Sequence, residues 1–349
     1  MKTISIKGLL LAALSAIFTI HPFSAQEPLW LGGDISGVSA DEARGRSFLD
    51  ADGHDADPFR LMRDYGMNAI RLRVWVNPID GFCSPGDVVQ MALRAKDLGM
   101  PVMIDFHYSD WWADPGKQNI PEEWRDMGVE EMAQALAEHT RNTLDLLKSN
   151  DIDVRWVQVG NETTHGFLWP IGRFEENPDN YAMLTQAGID AVKEVYLEAQ
   201  TIIHLDNGFD QELYDRVFDS LAERGVKWDI IGMSLYPYWA MEGKFRPDED
   251  STLNDCIENI KHLKEKYGTD IMITEIGVDA REPEAGYNFM VKTFDKVIDE
   301  VPDACKGVFY WAPEINADAD YHLGAFSHDR PTKIMDAFKY ASRKAAGTR

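Results

Sequence analysis

The stretch Trp156-Val157-Gln158-Val159-Gly160-Asn161-Glu162 decides how the chain is read. Its apolar, β-branched opening suits a strand buried on both faces. It then breaks at a glycine and ends on an amide beside a carboxylic acid. A parallel barrel presents catalytic groups in this way, at the C-terminal ends of its strands. Ile271-Met272-Ile273-Thr274-Glu275-Ile276-Gly277 has the same form. Two glutamates far apart in sequence, each closing a strand, suggest two carboxyls facing one sugar. The plainer alternative is a pair of ordinary loop acids, so the rest of the chain has to decide.

Outward from these two stretches, apolar runs alternate with helix-like ones. Strands are expected at Leu29–Ser36, Ala69–Trp75, Pro101–His107, Arg155–Glu162, Thr201–Asn207, Ile230–Tyr238, Asp270–Gly277 and Gly307–Glu314. The intervening helices have starts and stops. Asp57-Pro58 offers an N-cap and a proline at the first helical position, and Gly66 a stop. Asp87 can cap the next helix, whose buried stripe is Val88, Met91, Ala92, Ala95 and Leu98 before Gly99. Leu253, Cys256, Ile257, Ile260, Leu263 and Lys264 repeat the same spacing before Gly268. Eightfold strand–helix alternation predicts an α/β fold, a single (β/α)8 TIM barrel over residues 26–349. No glycine-rich dinucleotide fingerprint follows the first strand.

Polar and aromatic residues gather where these strands end. Asp34 closes the first. Arg71 and Arg73 lie two apart on the second, so on one face. The third runs into Asp105-Phe106-His107-Tyr108-Ser109-Asp110-Trp111-Trp112-Ala113-Asp114-Pro115, the sixth into Tyr236-Pro237-Tyr238-Trp239, and the eighth into Tyr310-Trp311. Stability alone gives a barrel no reason to crowd charge and aromatics on one rim, so an enzyme is favoured. Sugar stacking is expected of at least one of Trp111, Trp112 and Trp239. Trp156 and Trp228 are expected to pack between barrel and helices, and His139, His204 and His262 to stand alone on the surface or in the core.

Composition narrows the partners. A net charge of -24 over 349 residues argues against nucleic acid and anionic lipid. Lys2 and Lys7 precede the apolar run Gly8 to Ile20, and Ser24-Ala25 offers small residues for cleavage. Residues 1–25 are therefore expected to be a cleaved signal peptide, and the protein to be exported, periplasmic or secreted. No other stretch could span a membrane. Cys83, Cys256 and Cys305 fit neither a disulfide scaffold nor a zinc pattern and are expected to be buried apolar groups. Asp50-Ala51-Asp52-Gly53-His54-Asp55 is not an EF-hand loop, since Asp55 and Leu61 stand where glycine and glutamate are needed.

Asp105 to Gln118 resembles the signature of family 53 glycoside hydrolases, the endo-β-1,4-galactanases. So do Gly33-Asp34-Ile35-Ser36, Asn68 to Trp75, Gln158 to Glu162, Ser234 to Trp239, Thr274-Glu275 and Val308 to Trp311, in the family's order along the whole mature chain. The resemblance implies a retaining barrel with Glu162 as general acid/base and Glu275 as nucleophile. It implies that Asn161 holds the sugar 2-hydroxyl and that Tyr236 and one of Arg71 and Arg73 orient Glu275. Asp34, Asp105, His107, Trp112 and Trp239 would contribute to substrate binding, and Trp311 would be the platform under the ring. After Trp311 the family commonly continues Glu-Pro; here Ala312-Pro313-Glu314 follows, and the loop to Gly324 is short. Some bacterial members hold a structural calcium between the loops after strands seven and eight. Asp318 and Asp320 are the candidate ligands, although the shortened loop favours a solvated acidic segment. No cofactor is expected for catalysis, and the expected partner is a β-1,4-galactan chain met by a monomer. The rival expectations are another endo-hydrolase of the same clan, acting on mannan, xylan or glucan, and a carbohydrate-binding barrel without catalysis.

Overall fold

The computed structural model describes residues 28–347, so the expected signal peptide lies outside the described residues. All eight expected strands form: β1 Trp30–Asp34, β2 Ala69–Val74, β3 Val102–Phe106, β4 Val154–Val159, β5 Gln200–Leu205, β6 Ile230–Leu235, β7 Asp270–Ile276 and β8 Cys305–Trp311. They pair in sequence order, and β8 closes in parallel on β1. The result is a closed (β/α)8 barrel. The strands stop two to three residues short of several expected C-terminal ends. Pro237 already begins the short helix Pro237–Glu242, and Gly160 leaves the extended region at φ +88°.

The helices begin largely as their sequences dictate. Asp57 caps Pro58–Asp64 by accepting from the Arg60 N–H. The helix Pro85–Asp97 departs from expectation, because Ser84 rather than Asp87 is its cap. Proline at the first helical position fixes the start one turn before Asp87. Asp87 instead accepts from the Cys83 N–H and the Ser39 hydroxyl. Gly268 ends the helix Glu249–Tyr267 in the left-handed region, as expected.

Strand alternation sorts the barrel interior into layers. Trp30, Ala69, Met103, Trp156, Ile202, Ile230, Met272 and Phe309, one from each strand, form a separate buried apolar cluster. The Trp30 and Trp156 rings meet edge-on at 4.9 Å. Trp156 thus fills the barrel floor instead of packing between barrel and helices; its neighbours Val157 and Val159 belong to the outer core. Trp228 packs against Phe218 and Tyr267 on the helices, as expected. Two residues further along β2, β3, β4 and β5 the same face turns polar, with Arg71, Asp105, Gln158 and His204. The floor is therefore hydrocarbon and the layer above it is a charged network.

The pairing register slips at several points, and the slip in β7 decides where Glu275 points. Met233 pairs with Ile273, but Ser234 pairs with Glu275, so β7 carries one extra residue at Thr274. The same offset appears against β8. This bulge turns two consecutive side chains inward: Thr274 meets Gly232, and Glu275 meets Arg71. In a regular strand Glu275 would share the outward face of Ile271 and Ile273. All three cysteines are free and buried, as expected.

Candidate active site

Arg71 is the hub of the polar layer. Its Nη1 donates to Asp34 Oδ2 at 2.7 Å, and its Nε donates to Gln158 Oε1 at 2.7 Å. Its Nη2 donates to Asp105 Oδ2 and Asn161 Oδ1, both at 2.9 Å, and makes an ion pair with Glu275 Oε1 at 2.8 Å. The guanidinium is fully buried. Burial alone would lower its pKa, but three facing carboxylates outweigh that and raise it. Of the two arginines, Arg71 is the one that touches Glu275. Arg73 lies under the rim, 3.8 Å from the Trp112 ring and 4.7 Å from the Trp75 ring. There it supports aromatics by cation–π contact.

Glu275 also accepts from the Tyr236 hydroxyl at 2.9 Å. Burial pushes its carboxyl up, Arg71 pulls it down, and Asp105 and Asp34 add to the rise, leaving it at about 7. Glu162 stands well above its ordinary value, through burial first and then the charges of Glu275 and Asp206. Of the coupled pair, Glu162 holds its proton more tightly, because the cation sits beside Glu275.

Local backbone geometry aims the acid. Gly160 at φ +88° ends β4, and a Cβ there would lie 2.5 Å from Thr163 Cγ2. Glu162 itself has φ +46°, an uncommon conformation for a non-glycine residue. Together these bring Asn161 and Glu162 to the same cleft. Gln118, the last residue of the long motif after β3, pins this turn by donating to the Asn161 carbonyl at 2.7 Å. Asn161 Nδ2 donates to the Ala113 carbonyl at 2.9 Å.

The cleft holds about 560 Å³. Glu162, Glu275, His107, Trp112, Asn161, Tyr236, Trp239 and Trp311 line it, all of them anticipated in the sequence. Asp34, Arg71, Arg73 and Asp105 are buried and are not among the lining residues. They lie behind the wall and hold the groups that form it. His107 shows the arrangement: its Nδ1 accepts from the Ala113 N–H at 3.0 Å, so Nε2 carries the proton facing Asp105 Oδ2, also at 3.0 Å. Burial lowers the imidazole pKa and keeps it neutral.

Trp112 and Trp311 face one another with centroids 5.7 Å apart on the β3–β8 side. Trp239 and Phe245 stand across the mouth, 48% and 60% exposed. Trp111 lies on Trp75, outside the cleft lining. Sequence reasoning missed Ser234, Asp206, Asn207, Phe245 and Tyr321 in the lining, and His204 behind it. His204 does not stand alone: it contacts Gln158, Asn161 and Ser234. His262 pairs with Asp215, while His139 is half-buried beside Phe106 and Trp124.

The loops after β7 and β8 do not fit a calcium site. Asp318 and Asp320 are exposed, and Asp279 is paired with Arg281. Among the described residues only Asp50, Asp52 and His54 gather as three possible metal-ligating groups, in an exposed turn remote in sequence from both loops. Glu314, at the departure after Trp311, turns away from the cleft and lies against Gly37. Burial raises its carboxyl to about 8.

Residues 30–341 match the model of glycosyl hydrolase family 53. A probable arabinogalactan endo-β-1,4-galactanase A of Neosartorya fischeri is 30% identical, over 85% of this chain and 87% of that protein. A solved fungal β-1,4-galactanase superposes with a TM-score of 0.80 at 26% identity, covering 90% of this chain and 99% of the other. The family 53 catalytic domain of Ignisphaera aggregans gives 0.81 at 28% identity, covering 90% and 96%. With the matched segment running from the first strand of the barrel into its last helix, the chain belongs to glycosyl hydrolase family 53 and is a glycoside hydrolase.

Proposed function

We propose that this enzyme cleaves β-1,4-galactosidic bonds inside galactan, including the type I arabinogalactan side chains of pectin, with retention of configuration. The observation that carries the mechanism is the asymmetry of the two glutamates. Glu275 has Arg71 at 2.8 Å, whereas Glu162 has a serine hydroxyl and, among the described residues, no ion pair with a cation. One carboxyl is held ready to ionise and the other to stay protonated, which is the division of labour double displacement requires.

Glu275 attacks the anomeric carbon as the bond to the leaving oxygen breaks, and Glu162 gives its proton to that oxygen. Water then adds to the same carbon, passing a proton to Glu162, and the bond to Glu275 breaks. Two inversions restore the starting configuration. The two carboxyls and the water account for every proton and bond exchanged, so the chemistry needs no cofactor. In this reading Asn161 would contact the 2-hydroxyl, and Trp311 would lie under the ring. The aromatics on both sides of the mouth suit a chain lying across it, hence endo action. The basic and apolar leader Lys2 to Ile20 supports export. No helix among the described residues is long and apolar enough to cross a membrane.

The substrate is tested by reducing-sugar release from purified polysaccharides. Unbranched β-1,4-galactan should yield short galacto-oligosaccharides, with mannan, xylan and β-glucan at least about a hundredfold poorer, well within the roughly 10⁴- to 10⁵-fold that a hydroxyl-reading site can reach. Turnover of mannan or xylan with none of galactan would overturn the assignment.

A further inference from the structure

The two oxygens of Glu162 are treated differently. Ser234 Oγ lies 2.6 Å from Oε1, while no hydrogen bond among the described residues reaches Oε2. Behind Ser234, His204 Nε2 is 2.8 Å from the same Oγ. His204 Nδ1 is 2.9 Å from Gln158 Nε2 and 3.0 Å from Asn161 Oδ1. Ser234, His204 and Gln158 are all buried.

The direction of donation along this chain is set at its far end. A guanidinium only donates, so the Gln158 oxygen must face Arg71 and its amide nitrogen must face Asp105 and His204. His204 Nδ1 therefore accepts. Burial and the Arg71 charge hold the imidazole pKa well below its ordinary value, so the ring is neutral and its one proton is on Nε2. That proton goes to Ser234 Oγ, and the serine proton is left for Glu162 Oε1. The competing tautomer would place the proton on Nδ1, toward Asn161 Oδ1. It would aim one N–H at another and strand a buried Gln158 donor. Asn161 Oδ1 needs no such partner, because it already accepts from Arg71. An orphaned buried N–H is rarer and costlier than a carbonyl with a spare lone pair.

We infer that Ser234 and His204 are positioning residues for the acid/base: the one-way chain Arg71–Gln158–His204–Ser234 obliges Glu162 Oε1 to accept, so the catalytic proton is carried on Oε2. The same serine hydroxyl steadies the carboxylate after the proton has left. One guanidinium thereby orients both carboxyls, Glu275 directly and Glu162 through three residues. The inference rests on Glu162 being the acid/base. Other charges facing Glu162 are Glu275 on β7, Asp206 after β5 and Asp114 after β3. Tyr214, Tyr236 and Tyr321 also feel its charge. Arg71, Asp105 and His107 face His204.

Nitrogen-15 NMR of the histidine rings in the full chain reads the tautomer directly, with the His204 signals among the nine histidines assigned by their loss in His204→Gln. Protonated Nε2 with bare Nδ1 is expected; a proton on Nδ1 would overturn the inference without any functional variant. Ser234→Ala then tests the consequence. It removes a donor to the ionised acid, so the alkaline limb of kcat/KM should move up by about one to two pH units, with the acidic limb unmoved. A weaker acid should also lower plateau kcat on galactan about three- to tenfold. A uniform loss at every pH with the limb in place would mark Ser234 as merely structural and contradict the proposal. Glu162→Ala, assayed alongside, separates the two failures: wild-type turnover there would remove the acid itself, not only its support.

Discussion

Glu275→Ala should abolish turnover, by a factor on the order of 10⁵ or more, the scale on which loss of a covalent nucleophile is felt. Binding should survive, because Trp112, Trp239, Trp311 and Asn161 line the cleft independently of Glu275. The fold should survive as well. Arg71 keeps Asp34, Asp105, Gln158 and Asn161 as partners, and the lost carboxyl was one whose pKa burial had raised. A melting temperature equal to or above the wild type is expected, together with a galacto-oligosaccharide affinity within a few-fold of it. Stopped-assay rates and calorimetric titration check both. Residual turnover within about a hundredfold of wild type would show that Glu275 is not the nucleophile.

Glu162→Ala should depend on the leaving group. On galactan, whose leaving oxygen is a poor one, loss of the acid should cost about 10²- to 10⁴-fold. An aryl galactoside with an acidic phenol needs little protonation, so its first step should suffer far less and the second step should become limiting. A small anion such as azide, which attacks without a general base, should then speed turnover and give a β-galactosyl azide. The measurement is kcat on both substrates with and without azide. Equal losses on the two substrates, untouched by azide, would contradict the acid/base role.

Much of this site was legible in the chain before any coordinates. Strand-forming runs that end on Asn161-Glu162 and Glu275 fix which elements carry the carboxyls, and a closed barrel brings strand ends together whatever lies between. What the sequence hid was orientation. Period-two alternation places Glu275 on the outer face, and only the extra residue at Thr274 turns it in; no composition signal marks a bulge built from Ile, Thr and Glu. Glu162 at φ +46° is hidden for the same reason. Arg71 and Arg73 share a face and differ only in height, and height decides which one meets the carboxylates and which the indole rings. His204 looked isolated because its partners, Gln158, Asn161 and Ser234, come from other strands. Trp156 was misplaced because a tryptophan on a strand reads alike whether it faces the helices or the barrel floor.

The central claim, that Glu275 attacks while Glu162 protonates, is tested most directly by trapping the covalent intermediate. A 2-deoxy-2-fluoro-β-galactosyl donor with a good leaving group slows both steps, since fluorine at C2 destabilises the oxocarbenium-like transition states. The leaving group keeps the first step faster than the second, so the glycosyl-enzyme accumulates. Mass spectrometry of the proteolysed, inactivated wild-type enzyme should then find the added fluorogalactosyl mass on Glu275, within the Thr274-Glu275-Ile276 segment. The mass on any other residue, or an active enzyme that turns the reagent over without accumulating an adduct and releases the α-anomer, would contradict it.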